Sequence, residues 1–152
     1  MSLDKTDSRL LAELQKNAQI TAAELGEMLN LSPSQAARRR QRLESADYIR
    51  TYSAKLDAKR LGLTVQAFIQ VQMAAHDAQA AASFVRHVKS RPEVISAWTL
   101  TGEADYMLHV YCADLAGLNT LIQDALLPHS AVARVQSQIV MNELKADAPL
   151  PV

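Results

Sequence analysis

Four arginines fall within five positions of the chain: Arg38, Arg39, Arg40 and Arg42. A guanidinium is planar, permanently charged and forked, so it makes paired hydrogen bonds to phosphates and guanine edges. Just ahead of the run stand Ser32, Ser34 and Gln35, whose short polar side chains suit the same partners. If this stretch is a helix, its N-terminus also attracts phosphate through its free N–H groups. At about 100° per residue the four arginines cannot share one face, although Arg38 and Arg42 do, four apart. The competing reading is a solvated basic face balanced by Glu44 and Asp47.

Other chemistry finds little material. The four glycines, at 26, 62, 102 and 117, lack phosphate-loop or dinucleotide spacing. There is no Gly-x-Ser-x-Gly elbow. The histidines, His76, His87, His109 and His129, lack ligand spacing. His109 and Cys112 are three apart on an expected strand, so they face opposite sides and cannot clasp one metal. Cys112 reads as a small core hydrophobe. No general acid, base and nucleophile assemble, so neither an enzyme nor a metal or cofactor site is expected.

The elements that must position the arginines are legible from their period. Leu3, Leu10, Leu11, Leu14 and Ile20 recur near helical spacing, with Asp4 or Thr6 as the cap and Asn17 as the stop. Thr21-Ala22-Ala23-Glu24 is a capping box opening a second helix to about Leu29, with Ala22, Leu25, Met28 and Leu29 as its buried side. Ser32-Pro33-Ser34-Gln35 is another, with proline at the first helical position, opening a third helix to about Ala46. The connection Asn30-Leu31 is so short that helices two and three must cross sharply, which is helix-turn-helix geometry. In such proteins the start of the second of these helices enters the major groove.

Beyond residue 63 the period changes. Val65, Ala67, Ile69, Val71 and Met73 alternate with Gln66, Phe68, Gln70 and Gln72, which is strand spacing. Asp77 caps a helix over Ala78–Ser90, Val94–Leu100 is a strand, Thr101–Asp105 a turn and Tyr106–Cys112 a strand. Asp114 caps a helix over Leu115–Leu127, and Val132–Leu144 is the last strand. The fold expected is α+β: a winged-type helix-turn-helix of three helices, then a ferredoxin-like βαββαβ domain. The domains expected are residues 1–56 for the first, 57–63 as linker with Gly62 as swivel, 64–145 for the second, and 146–152 as a fraying tail.

Charge divides the same way. The 152 residues carry 16 Lys/Arg and 16 Asp/Glu, a net charge of zero. Residues 1–60 hold eleven basic against eight acidic side chains, and residues 61–152 hold five against eight. A basic and an acidic half suggest two modules with different partners. No apolar run approaches the roughly 18–20 residues needed to span a bilayer. The N-terminus lacks the apolar stretch of a signal peptide, and one cysteine permits no internal disulfide, so a cytoplasmic location is expected.

The order and spacing of these motifs resemble the Lrp/AsnC, or feast/famine, family of transcription regulators. The resemblance runs through Leu3-Asp4 with Asp7, Leu10-Leu11, Leu31-Ser32-Pro33-Ser34, Arg38-Arg39 and Arg42-Leu43-Glu44. It continues through Ile49-Arg50, Tyr52, Leu56-Asp57, Leu61-Gly62-Leu63, Thr101-Gly102-Glu103-Ala104-Asp105-Tyr106, and Ser137 with Ile139-Val140-Met141. It implies a regulator that binds double-stranded DNA through Ser32, Ser34, Gln35, Arg38, Arg39 and Arg42. It also implies a C-terminal domain that forms homo-oligomers, as dimers assembling to tetramers or octamers, and takes an amino acid or related effector. The loop Thr101, Gly102, Glu103, Ala104 and Asp105, with Ser137, would contact that effector. Gly102 lets the backbone approach a ligand, free N–H groups hold a carboxylate, and Asp105 pairs with an ammonium group. The same loop also reads as an ordinary hairpin, with Asp105 as a local cap.

Three positions depart from the family pattern. Arg40 interrupts an apolar stripe with Ala36 and Leu43, either snorkelling to solvent or touching phosphate. Asp47 stands where the family usually has glycine, and Val135 where relatives carry threonine. Two rival functions stay open: a metal or redox sensor through Cys112 and His109, and a small ferredoxin-like enzyme.

Overall fold

A computed structural model of the chain describes residues 2–74 and 77–152, so His76 lies outside the described residues. The chain forms two compact units: residues up to Lys55 with Leu144–Val152, and Leu56–Glu143. The segment 57–63 is not extended. It is a hydrogen-bonded turn belonging to the second unit, with Leu63 N–H on Ala58 O at 2.9 Å and Gly62 at φ 81°.

The first unit contains helices α1 (Lys5–Lys16), α2 (Ala22–Leu29) and α3 (Pro33–Ser45). Each starts on a reciprocal capping box, with N-caps Asp4, Thr21 and Ser32. Their apolar stripes meet in one core of Leu10, Leu11, Leu14, Ile20, Leu25, Leu29, Ala36 and Leu43. Met28 stands outside that core, half exposed. The stop after α2 is Asn30 in the left-handed region, φ 56°. Leu31 N–H reaches back to Gly26 O at 2.8 Å and Asn30 N–H to Glu27 O at 3.4 Å, a Schellman arrangement. The turn therefore presses onto α2, and a Cβ at Gly26 would sit 2.7 Å from Leu31 O. Asp47 closes α3 in the same manner at φ 58°, with Tyr48 N–H on Leu43 O and Asp47 N–H on Glu44 O. The residue that replaces the usual glycine thus adopts glycine's conformation, as an Asp can at some cost.

No strand follows α3 among the described residues of the first unit, so the wing of the expected winged-type motif is not formed within the chain. Residues 50–56 run without a strand partner, and an extended segment without one makes no ladder.

The second unit contains β1 (Val65–Met73), α4 (Ala78–Lys89), β2 (Val94–Thr99), β3 (Tyr106–Cys112), α5 (Leu115–Thr120) and β4 (Val132–Ile139). The strands form one antiparallel sheet in the order β2-β3-β1-β4, the ferredoxin-like arrangement. Alternate residues of β1, from Val65 to Met73, are buried in a core with Phe84, Val88, Leu108, Leu121 and Leu126. The helix begun by α5 widens over Leu121–Leu126 into a π-type turn, closed by Leu127 N–H on Ile122 O at 2.9 Å. The last strand stops at Ile139, short of the expected Leu144. Its final bond is Val140 N–H to Gln66 O at 2.9 Å, and β1 begins only one residue earlier, so nothing remains to pair with.

The Gly26 contact yields a test. Gly26→Ala must push the turn off α2 and is expected to cost about 1–3 kcal/mol of stability. Urea unfolding measures it, and an unchanged midpoint would mean the turn does not rest on α2.

Candidate nucleic-acid and effector interfaces

Helix α3 presents two different sides. Ala36 and Leu43 are fully buried. Ser34, Ala37, Arg38, Gln41 and Ser45 are exposed and follow i, i+3, i+4, i+7 spacing. Sequence reasoning named Ser34 and Arg38 here but missed Ala37 and Gln41. The signal was available, since both lie outside the Ala36–Leu43 stripe, Ala37 at its flank and Gln41 nearly opposite it. Ser32 and Gln35 also have internal work: Ser32 Oγ accepts Gln35 N–H at 3.2 Å, and Gln35 Oε1 accepts Ser32 N–H at 2.9 Å.

The arginines do not act as one patch. Arg39 Nη1 donates to Asp4 Oδ2 at 2.6 Å and to Asp7 Oδ1 at 2.7 Å. Arg42 Nη2 donates to both oxygens of Asp7 at 2.6 Å. Asp7 is only 1% exposed and also accepts Asp4 N–H at 3.2 Å. Arg40 turns the other way. Its Nε donates to Glu44 Oε1 and Tyr52 OH at 3.1 and 3.0 Å, and its Nη1 to Ile20 O at 3.2 Å. The guanidinium lies 4.8 Å from the Tyr52 ring centroid. Arg40 is therefore more than a simple snorkel, because its guanidinium is bound within the unit. It pins the segment after α3 to the helix. Arg38 alone of the four has no hydrogen-bond or ion-pair partner among the described residues.

The second candidate site lies on the sheet. Cross-strand partners share a face. Gln70 pairs with Gln136 and Gln72 with Arg134, and these four side chains line a polar depression with Glu103 and Ala104. Ser137 pairs with the buried Ile69, so it stands on the opposite, helix-bearing face. The chain thus brings Glu103 and Ala104 together with Arg134 but does not bring Ser137 to them. Arg134, Gln136, Gln70 and Gln72 were missed by sequence reasoning, although the glutamine alternation along residues 66–72 marked that face.

Asp105 is held inside the fold. Its Oδ2 accepts Met73 N–H at 2.7 Å, its N–H donates to Val71 O at 3.0 Å, and its carbonyl accepts Leu100 N–H at 2.9 Å. The carboxylate takes the place of a ladder carbonyl where β3 leaves β1. Gly102 turns the loop at φ 116°. Thr101 and Glu103 are exposed.

Cys112 is buried in the core, and burial pushes its thiol pKa up, which disfavours the reactive thiolate. His109 is on the other face, stacked on Phe68 at 4.6 Å and bonded to Gln66 at 2.7 Å. Among the described residues no group of three or more His, Cys, Asp or Glu could hold a metal ion. No helix among them is long and apolar enough to cross a membrane.

A helix-turn-helix followed by a ferredoxin-like unit defines the class of a two-domain regulator. Comparison with known proteins is specific. Residues 3–44 match the AsnC-type helix-turn-helix domain, and residues 66–150 match the Lrp/AsnC ligand binding domain. The chain belongs to the Lrp/AsnC family of transcriptional regulators. It is 31% identical to the transcriptional regulator AzlB of Bacillus subtilis, over 99% of this chain and 96% of that one. It is 30% identical to the DNA-binding transcriptional activator DecR of Escherichia coli K12, over 99% of each. The crystal structure of transcriptional regulator NMB0573 of Neisseria meningitidis, a complex with L-Met, superposes with a TM-score of 0.94. It shares 39% identity over 99% of this chain and 97% of that one.

Several carboxylates of the first unit titrate low. Arg39's hydrogen bond, with Asp7 N–H, holds Asp4 below its usual range. Thr21 does the same for Glu24, and Tyr52 with Arg40 for Glu44, against the upward effect of burial. A depressed folded pKa adds stability that is complete above the unfolded value and lost as pH falls through the folded one. The first unit is therefore expected to lose stability as pH falls below about 4. Thermal unfolding followed by circular dichroism across that range checks it. The double variant Asp4→Asn, Glu44→Gln is expected to flatten the acid limb; an acid limb as steep as the parent's would place the cause in other groups.

Proposed function

We propose that this regulator reads a specific DNA sequence with the exposed face of α3, and that an amino acid biases its assembly or its DNA affinity. The observation that carries the DNA reading is the face itself. Ser34, Ala37, Arg38 and Gln41 point outward in a row, and Arg38 is uncommitted. An arginine fork suits a guanine edge and an amide suits an adenine edge. Ser32 and Gln35 would act mainly by holding the helix start, where N–H groups attract phosphate. Arg39 and Arg42 lie beside that face with their charge paired to Asp4 and Asp7, so they would contribute to DNA binding less directly than Arg38. Two such units in a homo-oligomer would address major grooves roughly 34 Å apart.

An amino acid carries one anionic and one cationic end. The depression on the sheet offers Arg134 for the first and Glu103 for the second, with glutamine amides between them. The L-Met complex of the Neisseria relative supports the same class of ligand. Thr101, Gly102, Ala104 and Asp105 would shape the loop, and Ser137 would enter the site only from a second copy. Two sites of this kind need a coupling of only about 1–3 kcal/mol to switch DNA binding.

Binding selection from randomised duplexes supplies the recognised sequence. Arg38→Ala is then expected to lose about 1–3 kcal/mol on that sequence and to relax the base preference it reads. Retained affinity and preference would move recognition off α3. Thermal shifts with each of the twenty amino acids test the effector. A ligand at a hundred times its Kd stabilises by about 2.7 kcal/mol. Loss of that shift in Arg134→Gln is expected, and a flat screen would remove amino acids as the effector class.

A further inference from the structure

We infer that Asp4 and Asp7 set the DNA specificity of this regulator by withholding two of the arginines of α3 from phosphate. The inference rests on the reading that α3 faces DNA. Non-specific affinity comes from phosphate neutralisation by lysine and arginine, and it competes with the recognised site at every other position on the genome. A run of four arginines on a recognition helix would raise that background. Here the run is divided. Arg39 lies between Asp4 and Asp7, and Arg42 has one amino group on both oxygens of Asp7.

The two carboxylates hold with different firmness. Asp7 is enclosed, with its side chain 1% exposed, while that of Asp4 is 51% exposed. Arg39 and Arg42 are themselves 28% and 46% exposed, so both guanidiniums stand at the surface of the helix and are not sealed in the core. On the reading that α3 faces DNA, guanidiniums at that surface would meet phosphates once released. Asp4 and Asp7 cancel their charge at the place where it would otherwise act, and leave Arg38 as the uncompensated guanidinium of the set. Asp4 and Asp7 are therefore positioning residues, acting through the arginines and touching no base.

Asp4→Asn tests this with the fold preserved, because Asn caps a helix as well as Asp does. Asp4→Ser is the second variant, for the same reason. Affinity is measured on a random-sequence duplex and on the selected sequence across a salt series. Both variants are expected to bind the random duplex more tightly, with the slope of log K against log salt steeper by about 0.9 for each additional phosphate neutralised. The ratio of selected to random affinity is expected to fall. Glu13→Gln removes the same unit charge from the same helix, but its side chain bonds Lys16. It is expected to leave the slope at the parent's value. An unchanged slope in Asp4→Asn and Asp4→Ser overturns the inference, and so does an equal steepening in Glu13→Gln, which would make net charge the cause. If Arg38→Ala binds as the parent does, the α3 reading itself fails; if Arg38→Ala is impaired while the Asp4 slopes stay flat, only the present inference fails.

Discussion

The carboxylate of Asp7 is the constraint on which the first unit depends. Burying a carboxylate without partners is costly. This one is satisfied only if three things hold together: the first turn of α1, Arg39 and Arg42. The requirement fixes α3 against α1 along its length, because the two arginines lie nearly one turn apart. Helix α2 is then located by Gly26, whose missing side chain lets the Asn30–Leu31 turn rest on it. The crossing of α2 and α3 follows from these contacts and not from the turn alone. What α3 shows to the outside is the remainder: positions that neither Leu43 and Ala36 nor Asp7 have claimed.

The second unit solves a similar problem with another carboxylate. Where the pairing with β3 ends, β1 still has Met73 N–H to satisfy, and Asp105 supplies the acceptor. The loop that carries Glu103 and Ala104 is thereby tied to the sheet face that carries Gln70 and Gln72. A ligand at this depression would meet a preset surface with little left to order. The same bond means that Asp105 cannot be altered without disturbing the loop, so its role in the fold and any role in binding are inseparable by simple truncation.

Much of this was legible in the sequence. The three capping boxes, the short Asn30–Leu31 connection and the change from helical to strand period are local signals, each decided within a few residues. They gave the helices, the sheet and the helix-turn-helix. The departure at Asp47 was also legible, because a left-handed closing residue is a local requirement. Long-range pairing was not. Nothing near Arg39 or Arg42 reveals that their partners lie 32 and 35 positions earlier. Arg40 was read from its stripe with Ala36 and Leu43, whereas its partners are Glu44, one turn on, and the more distant Ile20 and Tyr52. The end of β4 depends on where β1 starts, which is also non-local. The effector set mixed two faces of one sheet because Ser137 and the loop were grouped by motif, and only the register separates them.

Charge therefore has to be counted by partner and not by position. The first sixty residues carry a surplus of three basic side chains, and four of their arginines sit on one helix. Yet the carboxylates of Asp4, Asp7 and Glu44 each meet one or more of those arginines. On α3 the guanidinium left uncompensated is Arg38, so on the proposed reading this helix alone would offer phosphate little free charge. Weak single contacts become useful when they are multiplied, because a second tethered unit binds at a high effective concentration. In such an arrangement affinity is governed by how many units engage at once, and that number is what a ligand on the second unit could change. A stronger basic patch on each copy would make assembly less decisive and leave the effector less to control.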